Sequence, residues 1–213
     1  ILQKKQNDTS PPITIEPSPA PIFHENWYCN EQLTGLKTIY KNTLGLTGAI
    51  IEIGCWEGRS AVTIANECYP DTIICNDTWM GNVQESAITG VKNISEIIVA
   101  ERNVYANFIN NMNILTNGNY KVVRQDCNKW LKEFNDPIKF IHIDASHDYE
   151  SVYETIQLAL PHMIYGGIMC GDDFLTAHIN RTDLHGGVER AVKEALPSFQ
   201  SVCNLWYYVH RLD

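Results

Sequence analysis

Apolar residues along the chain recur in two alternating rhythms. NEQLTGLKTIYKNTL sets Leu33, Leu36, Ile39, Tyr40 and Leu44 at helical spacing. AIIEIG follows as an apolar run, interrupted only by Glu52 and closing on glycine, the signature of a strand buried on both faces. The alternation then continues: helix GRSAVTIANEC, strand TIICND, one long helix ISEIIVAERNVYANFINNMNIL, strand YKVVRQD, short helix NKWLKEF, strand IKFIHID, helix YESVYETIQLAL, strand YGGIMCGDD and helix GVERAVKEAL. Strands alternating with helices predict an α/β fold whose sheet is mainly parallel, with helices on both faces. SVCNL and WYYVHRL lie too close together for a crossover and predict a terminal antiparallel hairpin, bringing the sheet to seven strands. No internal repeat interrupts the pattern.

Ahead of this, TSPPITIEPSPAPI holds five of the nine prolines. Proline fixes φ and removes backbone donors, so residues 1–25 are expected to form an extended, poorly ordered tail and residues 26–213 one folded domain. A length of 213 residues suits one domain, and 44% hydrophobic against 19% charged residues is a globular balance. The net charge of −9 argues against nucleic acid or an anionic membrane as partner, since both need a positive face. No apolar run approaches the roughly 20 residues of a membrane span, and the first residues, ILQKKQNDTS, lack the apolar core of a secretion signal. Seven cysteines, an odd number without a C-x-x-C pair, predict free thiols in a reducing, cytoplasmic setting.

Ligands of parallel sheets gather at the carboxyl ends of the strands. Here those ends are acidic: Glu52 before Gly54, then Asp77, Asp126, Asp144, and the pair Asp172 and Asp173. One such acid is an ordinary helix cap; an acid on five successive strands points to a site. In the first turn, IEIGCWEGRS, Gly54 and Gly58 permit tight backbone passage around Cys55 and Trp56, and Ser60 can donate where the helix opens. Trp56 occupies the second glycine position of G-x-G-x-x-G, which argues against a dinucleotide, and no phosphate-loop Gly-Lys-Ser or Gly-Lys-Thr occurs. Glu52 suits a cationic ammonium group, Asp77 can accept both hydroxyls of a ribose, and Asp126 can accept the amino group of adenine. Ammonium, ribose and adenine together describe S-adenosylmethionine. Thr78, Trp79 and Cys127 neighbour these acids; a Trp there can stack on adenine or a sugar ring but is more often plain core. A second group, Asp144, His147, Asp172 and Asp173, would place three carboxylates close enough to repel unless a cation joins them. Oxygen ligands favour Mg²⁺, with Ca²⁺ or Mn²⁺ as alternatives, and a neutral His147 beside them can take a proton from an acceptor hydroxyl.

The pieces IEIGCWEGRS, NDTWMG, HIDASHDYESV, GGIMCGDDF and GGVERAVKEAL resemble the class I S-adenosylmethionine-dependent methyltransferases, in particular the metal-dependent, macrocin-type sugar O-methyltransferases. The likeness spans residues 49–196 and implies a Rossmann-like class I fold, S-adenosylmethionine as cofactor, a divalent cation, and a sugar-containing or related small-molecule acceptor. It further implies His147 as base, Asp144 and Asp173 as metal ligands with Asp172 beside them, and a possible homo-oligomer. A catechol-type acceptor and a non-catalytic cofactor-binding module are the alternatives. The stretch from Gly81 to Gly90 matches nothing in the family pattern, and the acceptor pocket is expected from loops 78–100 and 174–187.

Overall fold

β1 (Ala49–Ile53) runs up the middle of a seven-stranded sheet, and every later element is laid out from it. A computed structural model describes residues 20–174 and 186–211. In chain order, α1 (Asn30–Lys41) precedes β1; α2 (Arg59–Cys68) leads to β2 (Ile73–Asn76); α3 (Val83–Thr89), α4 (Ile94–Glu101) and α5 (Val104–Leu115) lead to β3 (Tyr120–Val123). Then follow α6 (Cys127–Glu133), β4 (Ile138–Ile143), α7 (Tyr149–Ala159), β5 (Met163–Gly171), α8 (Gly186–Ala195), β6 (Gln200–Val202) and β7 (Leu205–Val209). The sheet order is β3-β2-β1-β4-β5-β7-β6. The first five strands are parallel, while β7 is antiparallel to both β5 and β6, as the closing hairpin predicts.

Side-chain alternation along the central strands divides the apolar residues between two cores. Ile50, Ile73, Phe140 and Ile168 face α1, α2 and α5, meeting Leu36, Tyr40, Ile64, Phe108 and Met112. Ile51, Ile53, Ile141 and Met169 face α6, α7 and α8, meeting Leu131, Ile156 and Val192. This double burial explains why β1 reads as an almost wholly apolar run, and it buries Lys139 and His142 within β4 as well. Among the described residues no helix is long and apolar enough to cross a membrane, and all seven cysteines are free thiols.

Three features depart from the sequence pattern. The single long helix predicted over 94–115 is two helices: Arg102 is extended and Asn103 caps α5, accepting the amide of Ala106 at 3.0 Å. α3, between Asn82 and the left-handed Gly90, was not foreseen. The hairpin turns at Cys203 and Asn204, both at positive φ, one step earlier than the division between SVCNL and WYYVHRL. Of the expected tail, residues 1–19 lie outside the described residues. Residues 20–25 are seated on the domain: Ile22 exchanges two hydrogen bonds with the Asn111 side chain, at 2.7 and 2.6 Å.

Candidate active site

Register puts four residues on one rim. Ile53 pairs with Asn76 and with Ile143, and Ile143 pairs with Gly171, so Gly54, Asp77, Asp144 and Asp172 each follow the last paired residue of their strands. The rim is tightest at Gly54. Its φ is +84°, and a Cβ there would lie 1.9 Å from the carbonyl oxygen of Asp144, so only glycine fits. Glu52 does not reach the rim. It pairs with Cys75 and His142 one register step below, fully buried, with Oε1 on Nδ1 of His142 at 3.1 Å and Oε2 without a hydrogen-bond partner. Burial works against a charged His142, but its bond to Glu52 and the nearby acids outweigh that and hold the imidazole above its ordinary range.

The turn after β1 and the end of β2 are locked together. The Asp77 carboxylate accepts the backbone amide of Trp56 at 2.9 Å on one oxygen and that of Trp79 at 2.6 Å on the other. Burial raises its pKa above the usual value despite these amides. Trp56 and Trp79 both hold positive φ, a strain typical of functional turns. The Trp79 ring is buried, edge-on to Tyr105 and tilted against Phe108 with centroids 4.8 and 4.9 Å apart, as a core residue is. Thr78 accepts the amide of Met80. Ser60 is buried in the first turn of α2, behind left-handed Gly58. Cys55 is buried, with its thiol facing the carbonyls of Glu52 and Asn76 and its pKa pushed well up by burial. Asp126 follows the end of β3 close to the rim, where Asn76 Nδ2 donates to the carbonyl of Gln125 at 3.1 Å, and it caps α6 by accepting the amide of Lys129 at 2.9 Å. Cys127 follows it, turned towards Thr155.

At the ends of β4 and β5 the second group assembles in part. Potential ligand atoms of Asp144, His147 and Asp173 lie within 4.8 Å of one another. His147 holds Asp173 Oδ2 through Nε2 at 2.9 Å. Asp172 turns away from this trio: Gln32 Nε2 donates to both its oxygens, at 3.0 and 3.1 Å, and Asn204 adds a third bond. Adjacent residues at a strand end face opposite ways, which separates the two acids. Burial, then the charges of Asp172 and Asp173, push Asp144 up to about 7. Burial, then Asp173, push Asp172 up to about 6. Burial lowers His147, but its bonds to Asp173 and Glu85 outweigh this and take it to about 10. Crowded carboxylates whose protons are held this firmly are a donor set that a hard dication relieves.

A family model described as a methyltransferase domain matches residues 51–174, more than half of the chain and every rim residue above. The chain belongs to this methyltransferase family. Solved structures share the fold. The O-methyltransferase NovP aligns at 16% identity with a TM-score of 0.58, covering 85% of this chain and 80% of its own. CalS11, a TDP-rhamnose 3′-O-methyltransferase of calicheamicin biosynthesis, aligns at 16% identity and TM-score 0.54 with the same coverage. An O-methyltransferase from Bacillus cereus, solved with S-adenosylhomocysteine, aligns at 16% identity and TM-score 0.56, covering 91% of this chain and 84% of that one. No curated protein sequence matches the chain.

Three contributions to the methyltransferase site carry no sequence motif. Glu85, buried on α3, accepts both the backbone amide and Nδ1 of His147 on Oε1, at 2.7 and 2.9 Å, while Asn93 donates to its Oε2 at 2.7 Å. Tyr28 and Gln32 enter from the start of α1, meeting Asp144 and Asp172 respectively. Residues 20–28 cross the first turn as a strap. His24 bonds Glu57 through its amide and its ring at 2.7 and 2.8 Å, Glu25 accepts from Trp56 Nε1 at 3.0 Å and pairs with Arg102, and the Trp27 and Trp56 rings meet at 5.0 Å. A single sequence gives no sign of these partners, because each lies far along the chain from the group it holds.

Proposed function

We propose that this methyltransferase moves the methyl group of S-adenosylmethionine onto a hydroxyl oxygen of a sugar-bearing or related small molecule, at a site that takes a divalent cation. The observation that carries the reading is the meeting of Asp144, His147 and Asp173 at the rim beside the Gly54 turn. In support, the relatives of this fold include an O-methyltransferase solved with S-adenosylhomocysteine and one that acts on TDP-rhamnose.

Each residue has a task. The Gly54 turn leaves backbone open to the methionine part of the cofactor, and the two oxygens of Asp77, already fixed by the amides of Trp56 and Trp79, keep lone pairs for the ribose hydroxyls. Asp144 and Asp173 would hold Mg²⁺, with Asp172 outside the set, bound by Gln32 and Asn204. When bound, the cation supplies positive charge that lowers the pKa of an acceptor hydroxyl. His147 takes the hydroxyl proton on Nε2, while Glu85 fixes the ring through Nδ1. A cation held by Asp173 would share that carboxylate's charge and so weaken its hold on a proton at Nε2. The oxygen attacks the methyl carbon as the carbon–sulfur bond breaks, and the bonding pair leaves on sulfur. Orientation is the protein's main contribution, since the sulfonium is a good leaving group already. The net charge of −9 and the free thiols agree with a small-molecule acceptor in a reducing, cytoplasmic compartment; a homo-oligomer is an expectation of the family resemblance.

Calorimetry with S-adenosylmethionine, together with methyl transfer to nucleotide sugars, glycosides and catechols with Mg²⁺ or EDTA, tests this. Cofactor binding in both conditions and transfer to a sugar hydroxyl only with Mg²⁺ is the expected result. Transfer unaffected by EDTA would remove the cation, and activity confined to catechols would remove the sugar.

A further inference from the structure

The acid trio accounts for Asp144 only in part, because its Oδ2 already accepts a hydrogen bond from within the protein. The donor is the hydroxyl of Tyr28, 3.0 Å away, on a ring only 6% exposed. The phenol has one proton to give. With that proton on Asp144, the Tyr28 oxygen is the acceptor for Nε2 of His142 at 3.2 Å, and Nδ1 of His142 lies 3.1 Å from Oε1 of Glu52. The result is a buried chain, Glu52–His142–Tyr28–Asp144, running from beneath the sheet rim to the carboxylate in the trio. Tyr28 is fixed at its other end too: Arg59 donates to its backbone carbonyl at 3.0 Å, and its ring packs edge-on against His142 with centroids 6.2 Å apart. Immediately after it, Cys29 caps α1, its amide bonded to Oε1 of Gln32, which leaves Nε2 of Gln32 to tie Asp172 aside.

We infer that Tyr28 is a positioning residue of the methyltransferase site, pinning Asp144 so that its carboxylate faces the cation, with His142 and Glu52 orienting the phenol from below. This rests on the cation site proposed above. It gives the otherwise unassigned His142 and the sub-rim Glu52 a shared purpose: they set the direction of the one proton that holds Asp144. Partners one step behind a ligating carboxylate commonly change metal affinity by about 10- to 100-fold when removed.

The test is Tyr28→Phe, which keeps the ring and deletes the hydroxyl, compared with wild type and Asp144→Asn in the full chain. Mn²⁺ binding without substrate is followed by electron paramagnetic resonance, and S-adenosylmethionine binding by calorimetry. Tyr28→Phe should weaken Mn²⁺ binding by roughly 10-fold or more while cofactor affinity stays at the wild-type value. In turnover, the Mg²⁺ concentration for half-maximal rate should rise while kcat at saturating Mg²⁺ largely recovers. Mn²⁺ affinity equal to wild type in Tyr28→Phe, with Asp144→Asn defective, would overturn the positioning role and leave the cation site standing. Parallel loss of Mn²⁺ and cofactor binding would show a general packing role instead. A wild type that binds no Mn²⁺ would overturn the cation site and this inference together.

Discussion

Asp77 joins the turns after β1 and β2, and the ribose contact proposed for it depends on the same two oxygens. Asp77→Ala removes the acceptor for the amides of Trp56 and Trp79, and with it the pair of oxygens assigned to the ribose. Calorimetry should show cofactor affinity lower by about 1.5–3 kcal/mol, the range for hydrogen bonds to a charged group, and thermal unfolding should start earlier because two amides are left unpaired. His147→Ala should behave differently, with cofactor affinity kept and turnover down by roughly 10²-fold or more. Glu85→Gln deletes a negative charge in contact with the His147 ring, so the imidazole pKa should fall from its raised value, read by proton NMR in cation-free protein. An unchanged pKa would mean that Asp173 alone sets it. Most rim residues were legible from strand ends: Asp77, Asp144 and Asp173 stand where alternating strands and helices predict. Glu52 was not, for a physical reason. It lies two residues before Gly54, and the rise of a strand sets it that far below the rim, whereas Asp126 stays at its strand end and also caps α6.

Among the elements, the strap and α3 do the most that periodicity cannot reveal. The strap has no apolar period, and proline content alone suggests a free tail. It is seated through side chains of distant elements, Glu57 and Asn111 above all. α3 is short and flanked by exposed apolar residues, yet its one buried acid holds His147. Burial raises the Glu25 pKa, but hydrogen bonds from Arg102 and Trp56 outweigh it and hold the carboxyl below its ordinary value of 4.5. A lowered folded pKa stabilises above the ordinary value, and that contribution is lost as pH falls through the folded one. The strap should therefore loosen in acid, below about pH 4.5, with fluorescence of Trp27 and Trp56 reporting it. Arg102→Ala should move the transition to higher pH; an unshifted transition would show that Glu25 does not govern it.

For the whole molecule, the fold class was the most legible property, because two-sided burial leaves an almost wholly apolar β1 and the strands alternate with helices in order. Two cores share those strands, so trimming one should unfold the whole sheet cooperatively. Ile141→Ala, at a fully buried position in the second core, should cost about 2–5 kcal/mol in chemical denaturation without changing the order of acids at the rim. What the sheet builds is a tight glycine turn and an acid trio on one edge, and the proposed methyl transfer depends on that juxtaposition. Its most direct test is radiolabelled methyl transfer from S-adenosylmethionine to a sugar acceptor across a Mg²⁺ titration, in wild type and Asp173→Asn. Wild-type transfer should rise from background with Mg²⁺, and Asp173→Asn should stay near background while still binding cofactor; equal, Mg²⁺-independent transfer by both proteins would contradict the account.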